Sequence, residues 1–210
     1  LLANLPLAAE AQFSFHDHIR VVQERIDRLQ EKHKGVRQIK HRLRAFMTKQ
    51  IENIQQSCEK FGLDYYASLK PDERCISPSD FGFHNAVVQC NSKVKFIDFE
   101  YAGWDDPAKT AADFIFQPQV PPPYDCFETI VDLLQRNSDN QQKLRAELLK
   151  PLFGCKWCCI MLNCFTSDWA KRALKTGTEL NIATYRKQQI TKAEYALKHL
   201  IEFYSLSKES

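Results

Sequence analysis

From Phe15 to about Lys34 the apolar residues Phe15, Ile19, Val22, Ile26 and Leu29 recur at the spacing of one helix face. Gly35 follows as punctuation. Val36, Ile39, Leu43, Phe46, Met47, Ile51, Ile54 and Cys58 then resume the same period. A stop is expected near Phe61-Gly62, where glycine suits a helix end. Two long amphipathic helices joined at a glycine predict an antiparallel pair. The texture changes between Arg74 and Glu100. Ala86–Cys90 reads as a strand, Asn91-Ser92 as a turn, and Lys93–Phe99 as a second strand. The imperfect alternation of that second strand predicts partial burial on both faces. Beyond it, Pro107 suits a helix start running through Ala111, Ala112, Phe114 and Ile115. Pro121-Pro122-Pro123 reads as a stiff loop, and further helices are expected near Cys126–Arg136, Gln141–Leu149, Pro151–Ala173 and Tyr185–Tyr204. The pattern predicts an α+β chain, mostly helical, with one embedded β-hairpin.

Length and composition narrow the classes. The 210 residues can bury one good core, or one domain with a small appendage. Hydrophobic residues make up 44% and charged residues 26%, ordinary for a soluble globular chain. The net charge of +3 is too mild to imply nucleic acid as a partner. No stretch approaches the roughly 18 apolar residues a membrane span needs, so no membrane partner is expected. The opening LLANLPLAAEAQ lacks the basic and apolar regions of a signal peptide and reads as the interior of a longer protein. Eight cysteines without a secretion signal predict buried, reduced thiols and a cytoplasmic setting. Cys155, Cys158, Cys159 and Cys164 carry a zinc-like spacing, but Trp157, Ile160, Met161, Leu162 and Phe165 around them predict a buried helix instead. The stretch from Lys32 to Gln50 holds Lys34, Arg37, Lys40, Arg42, Arg44 and Lys49 and no acidic residue. It is read as a solvated helix face, because aromatic residues do not interleave for base stacking.

Candidate chemistry gathers in Ser77-Pro78-Ser79-Asp80-Phe81-Gly82-Phe83-His84-Asn85 and Phe96-Ile97-Asp98-Phe99-Glu100. A loop presents Asp80 and, five residues later, Asn85 at the entry to a strand. The returning strand delivers Asp98 in an apolar frame, where Asp is uncommon. Phosphoryl transfer needs one carboxylate to orient the proton of an attacking hydroxyl. It also needs a carboxylate and an amide oxygen to hold Mg²⁺. A hairpin ladder fixes the distance between such a loop and the returning strand.

These residues resemble the catalytic loop and hairpin of the aminoglycoside phosphotransferase and choline kinase family. That loop has the form His-Gly-Asp-x-x-x-x-Asn, and its hairpin closes on apolar-Ile-Asp-Phe/Trp-Glu; Tyr101–Pro107 resembles the family's continuation. The resemblance implies that residues 1–210 form the C-terminal catalytic lobe of a protein-kinase-like fold, the nucleotide-binding lobe lying outside the chain. It implies ATP- and Mg²⁺-dependent transfer to a hydroxyl of a small molecule: an amino sugar, another sugar derivative or an amino alcohol. Asp80 would be the base or orienting group, Asn85 and Asp98 the metal and cofactor ligands, and Glu100 a supporting metal ligand. The chain departs from the family at Pro78, where the loop His stands, at Ser79, where the Gly stands, and at Thr110, where an Asp is usual. Asp113 is the candidate replacement for that Asp. The family's N-terminal sheet, nucleotide-binding Lys and partner Glu do not occur in these residues.

Two other classes stay open: a catalytically inactive, pseudokinase-like binding module, and a helical interaction domain with an accidental loop likeness. Asp80-Phe81-Gly82 also spells the protein-kinase metal motif, but the upstream His-Arg-Asp and downstream Ala-Pro-Glu are missing. His84 is read as packing the loop, with phosphate or substrate contact as the alternative. His16, His18, His33, His41 and His199 are assigned no role. Trp104, Trp157 and Trp169 are read as packing residues and not as a cation cage. Asp105 and Asp106 keep two readings, substrate recognition or capping of the helix at Pro107.

Overall fold

The computed structural model describes residues 5–90, 92–135, 139–169 and 181–206. It is 64% helical with two small strand pairs, which places the chain in the α+β class with helix dominant. The helices are α1 (Phe15–Arg28), α2 (Lys34–Phe61), α3 (Pro107–Phe116), α4 (Cys126–Leu134), α5 (Asn140–Met161) and α6 (Ile182–Leu206). The strands are β1 (Cys75–Ser77), β2 (Ala86–Val88), β3 (Val94–Phe96) and β4 (Gly103–Asp105). Among the described residues no helix is long and apolar enough to cross a membrane. The chain divides into two compact units: the residues up to His18 with Ile54–Phe153, and Ile19–Asn53 with the residues from Gly154 on.

In the second unit the expected helical stripes become the core. Ile19, Val22 and Ile26 of α1, Leu29 just after it, and Val36, Ile39, Leu43, Phe46 and Met47 of α2 are buried. The pair runs antiparallel. Lys40 Nζ donates to the carbonyls of Leu29 and Asp27 at 2.9 and 3.1 Å, and one turn further along α2 Arg44 meets Asp27 at 2.8 Å. Lys40 is therefore buried, unlike the rest of the basic stretch, because the last carbonyls of α1 need a donor. The break between helices falls at Leu29–His33, not at Gly35. His33 caps α2, its Nδ1 accepting from the Gly35 N–H at 3.1 Å. Cys155, Cys158, Cys159 and Cys164 are all buried, as the apolar surroundings predicted. Burial pushes the Cys158 thiol up to about 12 and the Cys164 thiol to about 11, so both stay protonated and unreactive. Trp169 stacks on Tyr185 at 6.0 Å.

Two expected helices merge, and the second ends at Met161, short of the expected Ala173. α5 runs unbroken through Pro151, although an interior proline costs about 3 kcal/mol. Leu148, Leu149, Leu152 and Phe153 flank it in the first unit, all buried, and their burial outweighs the missing N–H. Expected positions Arg136 and Ala173 lie outside the described residues.

The first unit holds the β structure, and here the expected pattern needs two corrections. A second antiparallel pair exists, with Cys75 opposite Asp105, Ile76 opposite Trp104 and Ser77 opposite Gly103. Three-residue strands are too short for periodicity to reveal. The hairpin itself forms in the expected place, Ala86 opposite Phe96 and Val88 opposite Val94. Its strands are shorter than predicted, however, and Val87, Val88, Val94, Ile97 and Phe99 are exposed, so partial burial on both faces is not found. Of the expected turn, Ser92 has a left-handed φ of 59°, while Asn91 lies outside the described residues.

The two pairs are nested. β1–β4 closes the ends of residues 75–105, and β2–β3 closes the middle. What remains between them is an irregular opening with two arms, residues 78–85 and 97–102. Backbone from Pro6 to Ala8 runs along β4, with Trp104 N donating to Pro6 O at 2.9 Å and Ala8 N to Trp104 O at 3.0 Å. A Cβ on Gly103 would strike the Pro6 carbonyl, so only glycine admits this third chain.

Candidate functional site

The two arms carry the candidate residues. Asp80 and Asn85 lie on the first, Asp98 and Glu100 on the second. A ring cluster anchors the first arm: Phe81 stacks on Phe114 of α3 at 4.6 Å and tilts against Phe96 of β3 at 5.0 Å. Phe83 meets the same Phe114 edge-on at 4.8 Å. Such pairs contribute about 0.5–1.5 kcal/mol each beyond their buried area.

Within that frame Asn85 is the joint. Its Nδ2 donates to the Asp80 carbonyl at 3.0 Å, tying the loop to itself. Its own carbonyl accepts from the Ile97 N–H at 2.9 Å, tying the first arm to the second, one residue before Asp98. One side-chain and one backbone bond thus tie Asn85 to the loop of Asp80 and to the arm that carries Asp98. Asp80 is exposed, and His84 Nε2 stands 3.2 Å from its Oδ1. Asp98 and Glu100 are also exposed.

Asp98 does not lie inside a strand as expected. β3 ends at Phe96, and Asp98 takes a left-handed φ of 67°, which Asp tolerates better than most residues. Ser79, at the position where the resembled family has glycine, likewise has φ 73°. Its N–H is held by Ser77 Oγ at 3.0 Å. A non-glycine residue there costs about 1–2 kcal/mol. Ser79→Gly is therefore expected to stabilise the fold by about 0.5–1 kcal/mol after the entropy glycine loses on folding. Urea denaturation measures it, and a lower midpoint for the variant would contradict the strain.

The donor set suits a hard cation. With Nδ2 engaged, Asn85 Oδ1 takes no hydrogen bond among the described residues, and the Asp98 carboxylate is likewise unpaired. One amide oxygen and one carboxylate match the habit of Mg²⁺, which uses few protein oxygens and completes its shell with water and phosphate. No three His, Cys, Asp or Glu side chains converge as a metal site among the described residues.

Behind the arms lies a buried ionic cluster that sequence reading missed. Asp105 and Asp106 are fully buried, which removes the substrate-recognition reading. Asp106 caps α3, its Oδ1 accepting from the Ala108 N–H at 2.8 Å. Its Oδ2 accepts from Arg145 Nη2 at 2.7 Å and meets His18 Nε2 at 2.8 Å. Burial alone would raise the Asp106 carboxyl, but the Arg145 charge and the His18 hydrogen bond hold it well below the usual carboxylate range. Asp105 pairs with Lys109 at 2.5 Å, and Lys109 also reaches Asp113 at 3.3 Å. Burial would lower the Lys109 ammonium, yet Asp113 and Asp105 keep it above its ordinary range and charged. Thr110 instead meets Cys75 Sγ at 3.4 Å, and Asp113 serves Lys109. His18, assigned no role from sequence, is a structural partner of Asp106.

No family model, curated protein or solved structure matches this chain.

Proposed function

We propose that this chain is the catalytic lobe of an ATP- and Mg²⁺-dependent phosphotransferase acting on a hydroxyl of a small molecule. One observation supports the reading: Asn85 binds both the Asp80 carbonyl and the Ile97 N–H, which ties the loop of Asp80 to the arm of Asp98 and Glu100. Asp80, exposed on the loop, is the group that would accept or orient the proton of an incoming hydroxyl. Asn85 and Asp98 would hold Mg²⁺, which neutralises phosphate charge when bound, and Glu100 would support that site from the same arm. The left-handed Ser79 and Asp98 flank the site, and strained backbone of this kind is concentrated at functional loops. The nucleotide would be gripped by a lobe outside these 210 residues. An amino sugar, another sugar derivative or an amino alcohol is the proposed acceptor class.

Calorimetric titration of Mg·ATP into the full-length protein tests the assignment. Asn85→Ala and Asp98→Ala are each expected to weaken binding about tenfold or more, while circular dichroism stays unchanged. Wild-type affinity in both folded variants would remove the metal assignment.

A further inference from the structure

His84 sits on the loop one residue before Asn85, and its two ring nitrogens meet different surroundings. Nε2 is 3.2 Å from Asp80 Oδ1. Nδ1 is buried and has no hydrogen-bond partner, and the side chain as a whole is only 11% exposed. Gln117, fully buried just after α3, has the same feature: its Nε2 is buried and unbonded. The orientation of that amide is fixed, because Gln117 Oε1 accepts from the backbone N–H groups of Gln119 and Val120 at 2.9 and 3.0 Å. What Gln117 has left is therefore a donor. Both side chains lie against Gly82. A Cβ there would fall 2.5 Å from His84 Nδ1 and 2.9 Å from Gln117 Cγ, so the glycine leaves the space in which the ring lies.

We infer that His84 is a positioning residue that holds the Asp80 carboxylate through an Nε2–H donor, its buried Nδ1 left without a hydrogen-bond partner. A carboxylate only accepts, so the ring is arranged for the tautomer protonated at Nε2, and a bare Nδ1 leaves no buried N–H without an acceptor. Asp80 is otherwise exposed, and a long-lived orientation of an exposed carboxylate needs such a partner. The catalytic consequence rests on the phosphotransferase reading, whereas the contact itself does not.

Two measurements test it. Nitrogen-15 correlation spectra of the 210-residue chain at pH 8 are expected to show His84 protonated at Nε2 and bare at Nδ1; any spectrum with Nδ1 protonated overturns the inference. In the full-length protein, supplied with Mg·ATP and a panel of amino sugars, sugars and amino alcohols, His84→Gln is expected to keep kcat within about threefold, because its amide nitrogen reaches the place of Nε2, while His84→Phe lowers kcat about tenfold or more with KM for Mg·ATP unchanged. Equal rates for the two folded variants would refute the positioning role. If the wild-type protein phosphorylates nothing in the panel, the phosphotransferase reading fails, and the tautomer still decides the His84–Asp80 contact.

Discussion

Asp106→Ala is expected to destabilise the first unit by about 3–5 kcal/mol, the scale for removing one partner of a buried ion pair. The carboxylate holds three donors at once: the Ala108 N–H at the start of α3, Arg145 from α5 and His18 from α1. Alanine leaves the Arg145 guanidinium buried with its charge uncompensated and removes the helix cap, itself worth about 1 kcal/mol. Asp106→Asn keeps a cap acceptor but not the charge, and an intermediate loss follows. Chemical denaturation of the three proteins gives the order; equal midpoints would mean the cluster contributes nothing. The same cluster sets a pH dependence. Burial lowers the His18 pKa below 6.5, against the upward pull of Asp106. The unfolded chain then takes up a proton near 6.5 that the folded chain refuses, so stability rises with pH through that window. It is complete above 6.5 and is lost as pH falls beneath it. Urea midpoints at pH 7.5 and 5.5 should differ more for the wild type than for His18→Gln.

Asp80→Asn is expected to lower turnover by roughly 10²-fold or more while Mg·ATP affinity holds. That factor corresponds to about 2.7 kcal/mol in the barrier. The substitution preserves size and most hydrogen bonding but removes the proton acceptor, and the groups assigned to the metal, Asn85 and Asp98, are untouched. Loss of both rate and affinity would make Asp80 a metal ligand instead. Turnover of a true substrate at the wild-type rate would refute the mechanism. A wild-type protein that binds Mg·ATP yet phosphorylates no hydroxyl in a broad panel would place the chain among binding modules without turnover.

Much of this molecule can be read locally. The stripes of α1 and α2 carry a 3.6-residue period, and every residue of the α1 stripe is buried. Pro107 after Asp106 marks a helix start, and the structure makes Asp106 its cap. The thiols among Trp157, Met161 and Leu162 read as core and are core. The order loop, hairpin, Asp98 is likewise a local pattern, because a tight turn returns the chain within a few residues.

What escaped the sequence depends on contacts between distant positions. His18 and Asp106 are 88 residues apart, and Arg145 lies 39 beyond Asp106. No periodicity links them, so His18 looked idle, and Asp105 and Asp106 kept substrate recognition open beside helix capping. The β1–β4 pair was invisible for the same reason: each strand has three residues, and each is specified by its partner and not by its own pattern. The exposure of the hairpin and the left-handed backbone at Ser79 and Asp98 also emerge only when the nested pairs close. Helices and the order of candidate residues were therefore determined by the chain alone, because near-neighbour sterics and helical burial act within a few turns. The buried charges, the strain and the meeting of the two arms were decided by tertiary structure, since only long-range packing removes the water that would otherwise screen and solvate those groups.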